Sequence, residues 1–117
     1  MEPIKIYSYS GCGTCRKALK WLQEKHIAAN VMAIRETPPT FAELESALVS
    51  VGNLRKLFNT SGGDYKAMNM KDRLPELSQA QALQLLSENG NLVKRPFAIH
   101  AKGTLVGFDE EAWSVLL

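Results

Sequence analysis

Cys12 and Cys15, in the run Cys12-Gly13-Thr14-Cys15, are the only cysteines of this chain. A bridge between them would close too short a loop to remove much chain entropy, so the pair points to reactivity and not to a stabilising staple. A Cys-x-x-Cys placed between a strand and a helix is a redox arrangement. The first sulfur then lies at the helix N-terminus, where unpaired amides and the helix dipole favour an anion, and its thiol ionises below the ordinary value of about 8.5. The second lies one turn along and can attack a mixed disulfide formed by the first. This makes Cys12 the nucleophile and Cys15 the resolving cysteine. Gly13, Thr14 and Arg16 surround the turn and are candidate substrate- or anion-binding residues.

Plainer roles compete for the same residues. A structural zinc site needs four ligands, and beyond the two cysteines the chain offers only His26 and His100, at no matching spacing. Cys15 can also serve as a small buried hydrophobe, because it shares a helix face with Leu19 and Leu22. His26 follows the first helix and His100 ends a strand, positions that suit structural roles.

The elements that position the cysteines are legible around them. Ile4 to Tyr9 alternates in the manner of a strand, and Gly11-Cys12-Gly13 breaks it. Cys15, Ala18, Leu19 and Leu22 then form one face of a helix. Val31 to Ile34 is a short apolar run that reads as a second strand, completing a βαβ unit. Thr40-Phe41-Ala42-Glu43 is a capping box, and its helix carries Phe41, Leu44, Leu48 and Val51 on one face before Gly52 ends it. Short helical turns are expected from Asn53 to Leu77. Ser78-Gln79-Ala80-Gln81 is a second capping box, with Leu77 as a staple against Ala82, and its helix runs to about Asn89-Gly90. Phe97 to His100 and Leu105 to Phe108 read as two strands around a Lys102-Gly103 turn. Asp109 caps a last helix that begins with Glu110 and Glu111 and whose Ala112, Trp113, Leu116 and Leu117 can face the sheet.

This order, βαβ, a helical insertion over approximately 40–90 and then ββα, is an α/β thioredoxin-type fold with a mixed four-stranded sheet, expected as a single domain over 1–117. In such an arrangement the residue at Pro96 is a cis proline facing the cysteines. Pro is acceptable at a strand's first position, where no amide is required. Arg95 then lies near Cys12 and supports a thiolate or a bound anion, unless it is simply a surface arginine before a strand.

Composition narrows the class. The chain has 117 residues, enough to bury a core without staples. It is 45% hydrophobic and 22% charged, which argues against disorder. A net charge of +2 with scattered basic residues leaves no footprint for direct nucleic-acid binding. No apolar run approaches the roughly 18 residues of a membrane span, and the start of the chain shows no basic region followed by a long apolar stretch, so a cytoplasmic protein is expected.

The chain resembles the arsenate reductase/Spx family along essentially its whole length. The residues that carry the likeness are Tyr7 to Leu19 around the cysteine turn, Leu57-Phe58-Asn59-Thr60-Ser61-Gly62, Leu92-Val93-Lys94-Arg95-Pro96 and Leu105-Val106-Gly107-Phe108. The resemblance implies a thioredoxin fold with a helical insertion and a nucleophile at Cys12. In the glutaredoxin-linked arsenate reductases three arginines hold the oxyanion. Arg95 matches one of them, whereas Asn59 and Gly107 stand where the other two would be, and Cys15 replaces a serine common in that subgroup. Each missing guanidinium removes a charge-assisted bidentate site, so weak arsenate chemistry is expected. The Cys-x-x-Cys is similar to that of the Spx regulators, which use it as a redox switch and bind RNA polymerase, but those carry a basic extension beyond the last helix. The segment Asn59 to Gly62 is more similar to reductase-like members of the family.

Three readings follow. The first is a thiol-dependent reductase or thiol–disulfide oxidoreductase acting on a small oxyanion or disulfide, with no bound cofactor and with glutathione, glutaredoxin or thioredoxin as electron donor. The second is a redox-sensing regulator that binds RNA polymerase, and the third a binding module with vestigial cysteines. Turnover of a small disulfide or oxyanion separates the first from the others, because the same dithiol chemistry serves an enzyme or a sensor.

Overall fold

The computed structural model describes residues 3–117; Met1 and Glu2, the first residues of the segment judged free of a signal, lie outside them. In chain order the elements are β1 (Ile4–Ser8), α1 (Gly13–Glu24), β2 (Ala29–Ala33), α2 (Phe41–Val51), α3 (Gly63–Ala67), α4 (Met70–Arg73), α5 (Gln79–Glu88), β3 (Phe97–His100), β4 (Gly103–Val106) and α6 (Glu110–Leu116). Single 3-10 turns at Leu54–Leu57, Leu74–Glu76 and Gly90–Leu92 join the helices between β2 and β3.

The sheet is mixed and has the order β2-β1-β3-β4. β1 runs parallel to β2 and antiparallel to β3, and β3 is antiparallel to β4. The fold is thus the expected α/β arrangement of thioredoxin type. The two-residue period of β1 sends Ile4 and Ile6 to one face and Tyr7 to the other. Ile4 and Ile6 join Ala18, Trp21 and Leu22 of α1 and Trp113 of α6 in one core. Tyr7 and Phe97, opposite each other in register and 5.9 Å apart in an edge-on pair, join Leu44, Leu57, Phe58, Leu83 and Leu86 in the second.

Both capping boxes are present, with Thr40 and Glu43 opening α2 and Ser78 and Gln81 opening α5. Gly52 ends α2 in the left-handed conformation, at φ 76°. Glu43 does more than cap, because its carboxylate also accepts from the Tyr7 hydroxyl at 2.6 Å and the Lys5 ammonium at 2.9 Å. Burial opposes the Glu43 carboxylate most strongly, yet the Tyr7, Thr40 and Lys5 donors together hold it below the usual carboxylate value. The start of α2 is thereby tied to the face of β1.

Several boundaries differ from the sequence reading. β2 starts two residues before Val31, because Ala29 and Asn30 already pair with Ile4 and Lys5. β4 is Gly103–Val106, since His100 pairs directly with Gly103 and the turn is Ala101-Lys102. Phe108 lies beyond the strand, edge-on to Trp113 at 5.1 Å. Trp21 is buried although the helix pattern did not mark it, and Ala112 is exposed, leaving Trp113 as the anchor of α6. The Trp113 indole donates to the Gly107 carbonyl at 3.0 Å, which pins the helix to the end of the hairpin.

Candidate active site

β1 ends at Ser8, and the next four residues bring the chain to α1. The Cys12 amide donates to the Tyr9 carbonyl at 3.0 Å, closing the turn. A Cβ at position 11 would stand 2.6 Å from a carbon of the Tyr9 ring, so glycine there lets the ring lie against the turn. Cys12 is extended, at φ −96° and ψ 115°, and is the N-cap of α1. Its sulfur accepts the Cys15 amide at 3.3 Å, as a serine or aspartate oxygen would in that place. Both cysteines are free thiols, Cys12 partly exposed and Cys15 fully buried.

The surroundings separate the two thiols. For Cys12, burial opposes ionisation most strongly, but the Cys15 thiol and amide, the Arg95 charge and the Thr14 amide outweigh it and hold the thiol below its ordinary value. For Cys15, burial and the hydrogen bond with Cys12 push the thiol up, against smaller opposing contributions from the Tyr9 backbone and the Ser8 hydroxyl. Cys12 is the accessible and more readily ionised thiol, and Cys15 the buried thiol whose ionisation is disfavoured.

Cys12, Gly13, Thr14 and Cys15 form one turn, as the spacing implied. The Arg16 guanidinium folds back and donates to the Ser10 carbonyl at 2.7 Å, so it braces the turn. Arg95 lies with its guanidinium carbon 5.0 Å from the centre of the Tyr9 ring, on the cysteine side of β3. The Arg95–Pro96 peptide is cis, and Pro96 is buried with its carbonyl accepting the Gly107 amide at 2.8 Å. The Asn59 side chain is turned onto Gly62, where a Cβ would stand 2.7 Å from its amide nitrogen. At Gly107 the space outside the chain is covered by the stem of Lys94. His26 and His100 lie at the other end of the sheet, where His100 accepts the Lys102 amide.

Arg35 belongs to this neighbourhood and the sequence reading missed it. Its guanidinium carbon lies 4.9 Å from the centre of the same Tyr9 ring. The signal was available in principle. β1 and β2 are parallel and paired in step, with Ser8 opposite Ala33 and the Ile34 amide donating to the Ser8 carbonyl. Residues just past the two strand ends are therefore neighbours, at the strand termini where open α/β sheets place their sites.

Limited alkylation near neutral pH should label Cys12 first, with Cys15 modified only slowly or on unfolding. Peptide mapping by mass spectrometry checks this; early labelling of Cys15 would reverse the assignment. In the Arg95→Ala variant the thiolate absorbance of Cys12 should titrate at higher pH, because a fixed charge favouring the anion is gone.

A mixed sheet of order β2-β1-β3-β4, a dithiol turn capping α1 and a cis proline opening β3 together define a thioredoxin-like α/β protein. More narrowly, the chain belongs to the ArsC family, whose model matches residues 7–116. It is 41% identical over 109 residues to the uncharacterised protein YusI of Bacillus subtilis, covering 92% of each chain. It is 32% identical to the global transcriptional regulator Spx of Enterococcus faecalis, covering 92% of this chain and 81% of the regulator. A crystal structure of a putative ArsC family related protein from Bacteroides fragilis superposes with a TM-score of 0.93 at 37% identity, over 99% of this chain and 98% of that one. Arsenate reductases are among the family's members.

Proposed function

We propose that the protein is a thiol–disulfide oxidoreductase in which Cys12 attacks and Cys15 resolves. The observation that carries this reading is the Cys12 sulfur at the N-cap of α1, accepting the Cys15 amide, with Cys15 buried below it. The Cys12 thiolate attacks one sulfur of a disulfide, the S–S bond breaks and the first half leaves as a thiolate. Cys15 then loses its proton to solvent and attacks Cys12, releasing the second half and leaving a Cys12–Cys15 disulfide. Two electrons have passed to the substrate. Glutathione, glutaredoxin or thioredoxin restores the dithiol, and no bound cofactor takes part.

Arsenate is a poor fit. Asn59 is turned onto Gly62 and Gly107 has no side chain, so two of the guanidinium groups that the family resemblance calls for are absent. The test is steady-state turnover of a small model disulfide and of arsenate, each with glutathione plus glutaredoxin and with thioredoxin plus its reductase. Disulfide turnover dependent on Cys12, with little or no arsenate turnover, is the expected result. Failure to turn over any disulfide with any donor would overturn the reading.

The 32% identity to Spx supports a second reading, a redox-responsive regulator that engages RNA polymerase. That reading expects co-purification with the polymerase that changes when Cys12 and Cys15 are oxidised, without turnover.

A further inference from the structure

We propose that Arg35, set beside Arg95 on the Tyr9 ring, is a specificity-determining residue of the Cys12 site, and that it selects disulfides whose arms carry carboxylate groups. This rests on the oxidoreductase reading and names the class of substrate it would take.

Three observations converge. The guanidinium carbons of Arg35 and Arg95 lie 4.9 and 5.0 Å from the centre of one aromatic ring, although they come from separate loops, one after β2 and one before β3. Two cations held on one ring repel, and the expected compensation is a carboxylate paired with one of them. Among the described residues neither has one. Among the described residues the one ion pair is Lys5 with Glu43, on α2, and Glu36, next to Arg35 in sequence, makes no pair with it. The quadrupole of the Tyr9 ring offsets part of the repulsion, and among the described residues no carboxylate pairs with either fork of donors, which can therefore meet an incoming anion.

The second observation is that the placement is built. The Tyr9 ring packs against Gly11 of the cysteine turn, and the Ile34–Arg35 backbone is held by the buried Gly90, whose α-carbon approaches so closely that a Cβ would stand 1.8 Å from the Ile34 carbonyl oxygen. Arg35 therefore starts from a fixed backbone at the mouth of the site.

The third is the depth of the two charges. Arg95 is half-buried and its charge acts on the Cys12 sulfur, whereas Arg35 is exposed. An oxyanion bonded to the attacking sulfur would use the inner cation alone. A disulfide whose negative group is carried several atoms from the reacting sulfur would use the outer one as well. The exposed Lys94, whose stem covers Gly107, adds a further positive charge next to Arg95 in sequence.

The experiment compares three model disulfides against the fully reduced protein in single-turnover reactions at low salt: dianionic 5,5′-dithiobis(2-nitrobenzoate), neutral 4,4′-dithiodipyridine and dicationic cystamine. Each undergoes the same two displacements, so the ratio of rates reports charge selection. In Arg35→Gln the ratio of anionic to neutral rate should fall about fivefold, as one exposed charge allows, and cystamine should gain relative to both. Arg35→Lys should recover part of the loss. The difference between the wild type and Arg35→Gln should shrink as salt is raised. Lys102→Gln, which removes the same charge in the β3–β4 turn at the opposite end of the sheet, controls for net charge. An unchanged ratio in Arg35→Gln, or an equal fall in Lys102→Gln, would overturn the proposal while the neutral disulfide still reacted through Cys12. Absence of reaction with the neutral disulfide in the wild type would instead overturn the oxidoreductase reading.

Discussion

Cys12→Ser should lower disulfide reduction by roughly a thousandfold or more, because a hydroxyl at the same N-cap keeps the hydrogen bond but supplies no thiolate. The fold should survive the change, since serine is a good N-cap residue and can accept the Cys15 amide as the sulfur does. Cys15→Ser should behave differently. The first displacement should still occur, one equivalent of leaving thiolate should appear, and the reaction should then stop at a mixed disulfide on Cys12 that intact-mass measurement detects. The pH dependence of that first step follows from the direction of the Cys12 shift. Its thiol is held below the ordinary value, so the rate should rise and level off at lower pH than for a free cysteine. By the same linkage, the ionised Cys12 adds stability above the unfolded thiol's pKa, and this contribution is lost as pH falls through the lower folded value. Equal activity of Cys12→Ser and wild type, or a rate profile centred where a free thiol ionises, would contradict the assignment.

Gly90→Ala should be the most damaging single methyl group in the molecule. Its Cβ would stand 1.8 Å from the Ile34 carbonyl oxygen, 2.7 Å from the Ile34 carbonyl carbon and 3.2 Å from the Arg35 α-carbon. These are backbone atoms, so no side-chain rotation relieves the clash. Gly90 and Ile34 are both buried, and Ile34 is tied to Ser8 through its amide, so the displacement is transmitted to the end of β1. A loss of at least about 3 kcal/mol is expected, from overpacking at two backbones together. Gly63→Ala is the matched control. It begins α3 with open space around its Cβ position, and alanine there should leave stability unchanged or slightly raised. Urea unfolding of both variants measures the difference. A Gly90→Ala midpoint equal to that of the wild type would show that the 3-10 turn does not press on Ile34. The variant also bears on the site, because Arg35 would lose its fixed starting point.

The placement of the cysteine turn was the most legible part of this chain. A Cys-x-x-Cys at a strand-to-helix break implies a thiol at a helix N-terminus, and this follows from local spacing alone. The same holds for the caps at Thr40, Ser78 and Asp109, because a cap joins residues two or three positions apart. The expected cis peptide before Pro96 and the mixed sheet followed from the order of elements. Strand ends were less well placed. The start of β2 at Ala29 and the turn at Ala101-Lys102 are set by which residues pair across strands, and period-2 alternation does not report that register.

What the tertiary structure alone decided is which residues far apart in the chain share the cysteine turn. Arg35 carries no local signal that sets it apart from the other charges of the chain. Parallel pairing of β1 with β2 sets it beside Tyr9, and the crossing of β3 brings Arg95 to the same ring. Gly90 likewise read as the end of a helix, and only the approach of Ile34 shows why a side chain is excluded there. Local pattern is enough to make a reactive thiol, because the helix that activates it starts at the thiol itself. The arginines around it come from loops next to other strands, and their meeting depends on sheet order and register, which arise only when the chain packs.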